Sequence, residues 1–95
     1  MLEVRRTALA NQDAIEIWAY IAAENKVAAD KAIDKSDQRI NVIPRLPHSR
    51  PEMLNIAPGA RRTVVGRYSI YYRVIDEAID VLRILHERKN HDDLV

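Results

Sequence analysis

The sequence contains no cysteine and only two glycines among its 95 residues. Without cysteine the chain can form neither a disulfide framework nor a thiolate zinc site, which fits a reducing, cytoplasmic compartment. With so few glycines it has no loop of the kind that cradles phosphate groups. No serine lies in a nucleophile-elbow motif. The sequence therefore predicts no cofactor, no metal site and no recognisable catalytic constellation.

Long apolar runs are also missing. No stretch approaches the ~20 apolar residues that span a bilayer. Charged side chains at Glu3, Arg5 and Arg6 interrupt the start of the chain, so we expect no secretory signal. With 47% hydrophobic and 31% charged residues, the composition is typical of a soluble globular protein. The length predicts a single domain over residues 1–95.

The clearest structural signal lies between residues 61 and 86. Runs of β-branched and aromatic residues at 61–65, 68–75 and 79–86 are separated by short turns at 66–67 and 76–77. Such runs suit a pleated, half-buried surface. They predict three strands that form an antiparallel meander.

The period of two assigns the side chains of these strands to faces. In the last strand it places Val81 and Leu85 on one face, with Leu82 and Ile84 on the other. Because both faces are apolar, we expect both to be covered. The preceding helices would cover one face, and we expect a partner to cover the other, with the chain's own tail or proline-rich loop as the alternative. In the middle strand one face carries four apolar or aromatic side chains: Tyr68, Ile70, Tyr72 and Val74.

The residues before 60 predict the remaining elements. An alternating stretch over 2–8 indicates a first strand. Asn11 is a suitable N-cap for a first helix that ends near Asn25, and a second helix is expected from Val27 to Val42. Four prolines then mark a stiff loop. The order β-α-α-β-β-β predicts an α+β fold, with a helical hairpin packed on one face of a small antiparallel sheet.

Charge is distributed unevenly along the chain. Residues 44–75 contain six arginines, no lysine and a single acidic residue, Glu52. An arginine-only block favours an anionic partner, although a solvated strand face has the same composition. Arginine beside an exposed tyrosine such as Tyr71 suits RNA binding by stacking, and equally a protein interface.

Several of these segments together resemble the ParE branch of the RelE/ParE toxin superfamily. The resemblance covers nearly the whole chain. It implies a small cytoplasmic toxin of a bacterial toxin–antitoxin pair, in a hetero-oligomer with a ParD-like antitoxin whose C-terminal segment wraps the helices and sheet. Contact with DNA would be indirect, through the antitoxin. The segments that carry the resemblance are Ala14 to Tyr20, the prolines at 44–51, Gly59-Ala60-Arg61, Tyr68-Ser69-Ile70-Tyr71-Tyr72-Arg73-Val74 and Leu82-Arg83-Ile84-Leu85-His86.

The superfamily contains both ribonucleases and gyrase inhibitors. RelE-like members cleave mRNA in the ribosome with basic and tyrosine side chains. Here Ser69 stands where they have an arginine, and Val95 stands near where they have a tyrosine. A ribonuclease without this arginine and this tyrosine loses stabilisation of the transition state for RNA cleavage. The departure favours the ParE branch and implies a non-enzymatic inhibitor of DNA gyrase. The alternatives are a ribosome-dependent mRNA endonuclease and a non-toxic interaction module of the same fold.

Two sets of residues are candidates for these contacts. Trp18 is a candidate for contact with the antitoxin, although a tryptophan at helical spacing is more often a core residue. The candidates for contact with the target are basic: Arg61, Arg62, Arg73, His86, Arg88 and Lys89. The candidates for contact with the antitoxin are Trp18, Ile21, Tyr71, Val81 and Leu85.

Overall fold

Two helices pack on one face of a four-stranded sheet in the computed structural model, which describes residues 2–53 and 56–89. The predicted element order and α+β class are confirmed. None of the described helices is long and apolar enough to cross a lipid bilayer. The elements are β1 (Glu3–Arg6), α1 (Ala8–Ala22), α2 (Lys26–Val42), a short 3-10 helix (Ile43–Arg45), β2 (Arg61–Val65), β3 (Tyr68–Ile75) and β4 (Ala78–His86).

The sheet has the strand order β1-β4-β3-β2. The last three strands form the antiparallel meander that the sequence predicts. The first strand runs parallel to β4, so the sheet is mixed rather than wholly antiparallel. Pairing between the two ends of a chain leaves no local signal, which is why the sequence could not supply this partner.

The first helix begins four residues earlier than expected. Thr7 is the N-cap, since its hydroxyl oxygen accepts a hydrogen bond from the Ala10 N–H at 3.1 Å. The predicted cap at Asn11 is therefore wrong. The same hydroxyl lies 3.0 Å from the carbonyl oxygens of Val81 and Leu82. Thr7 thus joins the start of α1 to the middle of β4.

The connection between the helices lies where it was predicted, but Asn25 has a different role. It caps the start of α2 by accepting a hydrogen bond from the Ala28 N–H at 3.0 Å, and its φ of −155° is extended rather than left-handed. Across the helix pair, the Trp18 indole N–H donates to an Asp30 carboxylate oxygen at 2.8 Å. The second helix buries Ala29, Ser36 and Ile40, and Ile40 packs against Ile70 and Val81 of the sheet.

A β-bulge in β4 changes which side chains share a face. Tyr71 pairs with Arg83 while Tyr72 pairs with Val81, so Leu82 is an extra residue. Such an insertion inverts the alternation beyond it. Val81 and Ile84 consequently pack together on the helix side, and Leu82 and Leu85 pack on the far side. The predicted pairing of Val81 with Leu85 on one face is wrong for this reason.

The far face of the sheet is covered by the proline-rich loop. Ile56 and Ala60 are buried against Tyr71 and Leu85, and Met53 and Ala57 pack around them. The chain itself supplies the cover for this part of the sheet, so the expected cover by a partner is wrong here and the loop alternative is confirmed. On the helix side, the alternation predicted for β3 is confirmed, because Ile70 and Tyr72 both pack there.

Candidate functional site

Arg61, a candidate for target contact, is used inside the chain. Its guanidinium donates to the carbonyl oxygens of His48 and Arg50 at 3.2 and 2.6 Å and to a Glu52 carboxylate oxygen at 3.1 Å. These three acceptors lie in the proline-rich loop. Arg61 therefore holds the loop against β2 instead of presenting a free fork to an anionic partner.

The other two sheet candidates, Arg62 and Arg73, are half-buried on the far face. In the strand register Arg62 lies opposite Tyr71 and Arg73 lies opposite Asp80. The stem of Arg73 passes beneath Gly59, where a β-carbon would lie 3.6 Å from Arg73 Cδ. Gly59 also has a φ of +75°, a conformation that favours glycine. The sheet arginines thus form a packed layer rather than an open basic surface.

A buried ion pair closes the open edge of β4. The strand β1 covers this edge only as far as Val81, which leaves the Ile84 N–H without a strand partner. An Asp13 carboxylate oxygen accepts that N–H at 3.0 Å, and the same carboxylate receives Arg83 Nε at 2.7 Å and Nη2 at 2.9 Å. This hydrogen bond raises the pKa of Arg83 above its ordinary value. The sequence does not reveal this role, because a carboxylate near the start of a helix is equally explained by its favourable interaction with the helix dipole.

Next to this pair is the groove between α1 and the end of β4, which we call the basic groove. It encloses about 530 Å³. Its α1 wall includes Asp13, Glu16 and Tyr20, and its opposite wall carries three cations from the β2–β3 turn and from the turn after β4. The groove brings together three of the six predicted target residues, which are His86, Arg88 and Lys89, and adds Arg67.

The turn after β4 holds these cations in place. The His86 ring packs edge-on against Tyr68, with centroids 5.3 Å apart and planes at 82°. His86 Nδ1 accepts the Arg88 N–H at 3.1 Å, and the His86 carbonyl accepts the Lys89 N–H at 3.0 Å. The Glu87 N–H donates to the Arg67 carbonyl at 2.8 Å, which joins the two turns. The backbone is therefore fixed while the charged ends of the side chains remain exposed.

A second groove runs along α2 on the other side of the β2–β3 turn. It encloses about 340 Å³ and is lined mainly by apolar groups, including Ala28, Ala32 and Val65. Arg67 and Tyr68 line both grooves, so the two grooves meet at the turn. Burial, with a smaller contribution from nearby Tyr20, raises the pKa of the Tyr68 phenol, so this ring stays neutral at physiological pH. The two grooves therefore form one continuous surface around the β2–β3 turn.

Three of the predicted antitoxin contacts are core residues. Tyr71, Val81 and Leu85 are 1%, 0% and 2% exposed, because the proline-rich loop and α1 cover them. In this fold these three side chains present almost no surface to a partner. Trp18 and Ile21 are half-buried on α1 and keep part of their surface accessible.

Two further positions bear on chemistry at the sheet. Ser69 is buried beside Leu85, its cross-strand neighbour, so its hydroxyl is not presented to solvent. Val95 lies outside the described residues. Among the residues that the structure describes, no cluster of His, Asp or Glu is arranged to hold a metal ion.

Comparison with known proteins identifies similar chains. The family model for the ParE toxin of type II toxin–antitoxin system, parDE, matches residues 4–91. A solved structure, the chromosomal ParDE toxin–antitoxin system from P. aeruginosa, superposes with a TM-score of 0.77 at 21% sequence identity. That match covers 90% of this chain and 96% of the other. At this identity it establishes the fold alone. Comparison with curated protein sequences gives no match.

Proposed function

This chain belongs to the ParE toxin family of type II toxin–antitoxin systems, and we propose that it is a toxin that inhibits DNA gyrase and is neutralised by a ParD-like antitoxin. The family match over residues 4–91 is the observation that carries the proposal. The toxin would act in the cytoplasm, where gyrase acts on DNA, and would occur in a hetero-oligomer with its antitoxin.

Inhibition by binding, rather than by catalysis, agrees with the environment of the sheet. A ribonuclease of the RelE type needs cationic side chains that face the scissile phosphate. Ser69 replaces one such arginine and is buried, and Arg61 is committed to three acceptors in the loop. Neither position supplies a cation to a bound RNA backbone. Three exposed cations, Arg67, Arg88 and Lys89, line the basic groove instead.

We place target contact at the turn after β4. There Arg88 and Lys89 are exposed, and the hydrogen bonds of their N–H groups to His86 fix the backbone that carries them. Exposed cations on an ordered turn suit recognition of an acidic protein surface, because little side-chain and loop freedom remains to be lost on binding.

The antitoxin would occupy the same groove. The α1 wall of the basic groove offers apolar and aromatic surface from Ile17 and Tyr20, next to the three cations. An acidic amphipathic segment that folds as it binds would match both features. Since the groove contains the proposed target residues, an antitoxin bound there would block gyrase contact by occupying it. The half-exposed Trp18 and Ile21 on α1 remain candidates for its outer contacts.

The test is a supercoiling assay with purified gyrase, ATP and relaxed plasmid, with ribosomes and a defined mRNA in a parallel reaction. We expect loss of supercoiling that the cognate antitoxin reverses, and intact mRNA. The double variant Arg88→Ala/Lys89→Ala should raise the concentration for half-inhibition by about tenfold or more, since a few central side chains carry most of the affinity of an interface. It should still bind the antitoxin through the apolar wall.

The control is Lys26→Ala, which removes an exposed cation at the start of α2 that lines neither groove. It should inhibit gyrase as the wild type does. Unchanged inhibition by the double variant would remove the turn after β4 from the target surface. Codon-periodic cleavage of the mRNA with normal supercoiling would contradict the gyrase proposal itself.

A further inference from the structure

A small cavity separate from the basic groove lies at the other end of the helix–sheet interface. Its walls are the C-terminal end of α2, the 3-10 helix and the loop 46–50, and Thr63 and Tyr72 form its floor. It encloses about 190 Å³. We call it the arginine cavity, because Arg39, Arg45 and Arg50 all line it.

The charge in this cavity is uncompensated within the described part of the chain. None of the lining residues is acidic. The ion pairs that the described arginines form belong to other positions, namely Arg5, Arg6, Arg61, Arg67 and Arg83. Three like charges around one small cavity repel each other, and a bound anion would remove that repulsion.

The floor of the cavity contains a hydroxyl that lacks a partner. Thr63 is 2% exposed, and its Oγ1 is buried without a hydrogen bond to any described residue. Buried hydroxyl groups are rarely left in this state, because the lost hydration costs free energy. The neighbouring Tyr72 is satisfied, since its hydroxyl donates to the Pro47 carbonyl at 3.0 Å. Thr63 is therefore the floor residue with an unused donor, and a bound phosphate oxygen meets that hydroxyl once it rotates toward the cavity.

Two hydrogen bonds hold the wall of the cavity in place. The Arg50 carbonyl accepts from Arg61 at 2.6 Å, and Pro47 accepts from Tyr72. Both contacts fix the loop that carries Arg50 without using its guanidinium. The cavity is thus formed before any ligand enters it, which lowers the cost of binding.

We propose that the arginine cavity binds one phosphate group, supplied as inorganic phosphate or as the terminal phosphate of a nucleotide. Planar guanidinium groups match phosphate oxygens in geometry and charge. A volume of 190 Å³ corresponds to roughly six water molecules of liquid. That space accommodates a tetrahedral phosphate group but not a nucleic-acid duplex. The site is independent of gyrase inhibition and of the basic groove.

Binding is measured by calorimetry and by thermal unfolding of the full chain, with sodium phosphate and with AMP, each against sodium chloride at equal ionic strength. A ligand that binds only the folded state raises the melting temperature with its concentration. We expect phosphate or AMP to raise it and chloride not to. Stronger binding of inorganic phosphate would identify the free ion as the ligand, and stronger binding of AMP would identify the nucleotide.

The variant Arg45→Gln/Arg50→Gln should bind the phosphate group about tenfold more weakly or worse, as expected for two lost charge-assisted hydrogen bonds. Both side chains are exposed, so the fold is retained. The matched control Arg67→Gln/Arg88→Gln removes the same charge from the basic groove and should bind as the wild type does. Equal weakening by both pairs, or equal stabilisation by chloride, would overturn the proposal.

Thr63→Val tests the floor of the cavity separately. It removes the unpartnered hydroxyl at nearly constant volume, so the ligand-free protein should be no less stable than the wild type. Phosphate affinity should nevertheless fall about fivefold. An unchanged affinity would overturn the assignment of Thr63. Binding of a short DNA duplex more tightly than AMP, lost in Arg45→Gln/Arg50→Gln, would overturn the small-phosphate assignment in favour of a nucleic-acid backbone.

Discussion

Two arginines within the strands of the meander behave in the opposite way to two arginines at its turns. Arg61 in β2 and Arg83 in β4 donate to acceptors inside the chain at distances of 3.2 Å or less. Arg67 and Arg88, which lie in the turns at one end of the sheet, remain exposed. The number of arginines in a segment therefore does not measure the positive charge that the segment offers to a partner.

The difference follows from what surrounds each position. Both strand arginines lie near backbone groups that have no partner in the sheet. For Arg83 these are on the edge of β4 that β1 does not reach, and for Arg61 they are the carbonyls of the proline-rich loop. Hydrogen bonds to those backbone groups stabilise the fold. They engage the guanidinium itself at Arg61 and the carboxylate partner of the guanidinium at Arg83, so neither arginine is free to bind another molecule. A turn arginine has water as its neighbour, and its charge remains available for binding.

The largest effect is expected at Asp13, where removal of one carboxylate affects two donors at once. Asp13→Ala leaves the Arg83 guanidinium and the Ile84 N–H without their acceptor. The site is buried, since the side chains of Asp13 and Arg83 are only 5% and 16% exposed. Breaking such a pair costs about 3 kcal/mol of the free energy of unfolding. Urea unfolding of the single variant measures this cost.

The double variant Asp13→Ala/Arg83→Met is the control for that result. It removes both charges, so it should be more stable than Asp13→Ala, although the Ile84 N–H stays unpaired. If the double variant were less stable than Asp13→Ala, Arg83 would stabilise the fold through its stem rather than through the ion pair.

An intermediate effect is expected at the loop. Arg61→Gln removes donors to His48, Arg50 and Glu52, and should lower the free energy of unfolding by about 1–2 kcal/mol. It should also speed proteolytic cleavage within residues 46–52, because the loop loses its attachment to β2. The neighbouring Arg62→Gln has no such contacts among the described residues and serves as the control. Equal protection of the loop in both variants would show that its apolar cover alone holds it.

The sequence predicts the elements of this fold well, because their signals are local. Alternation predicts the meander and the buried face of β3, and helical spacing predicts the two helices. The boundaries fail where a long-range contact decides them. Thr7 outcompetes Asn11 as the N-cap since it also reaches the Val81 carbonyl across the sheet.

The candidate site was harder to predict for the same reason. The bulge at Leu82 inverts the faces of β4, so Val81 and Leu85 could not be assigned from a period of two. Burial of Tyr71 depends on Ile56, from a loop with no periodic pattern of its own. Only the short-range part of the target set, from His86 to Lys89, was brought together as the sequence suggested.

The smallest effect is expected at the exposed pair of Arg67 and Glu87, whose charged atoms lie 3.8 Å apart on side chains that are 69% and 54% exposed. Solvent screens such a pair, so a double-mutant cycle with Arg67→Ala and Glu87→Ala should give a coupling energy below about 0.5 kcal/mol. Added salt should change this coupling energy only slightly, because solvent already screens the two charges strongly. The same cycle with Asp13→Ala and Arg83→Met should give a coupling energy several times larger. A coupling above about 1 kcal/mol at Arg67 would mean that the turn, like the strands, uses its charge to stabilise the fold, and the contrast between the two groups of arginines would no longer hold.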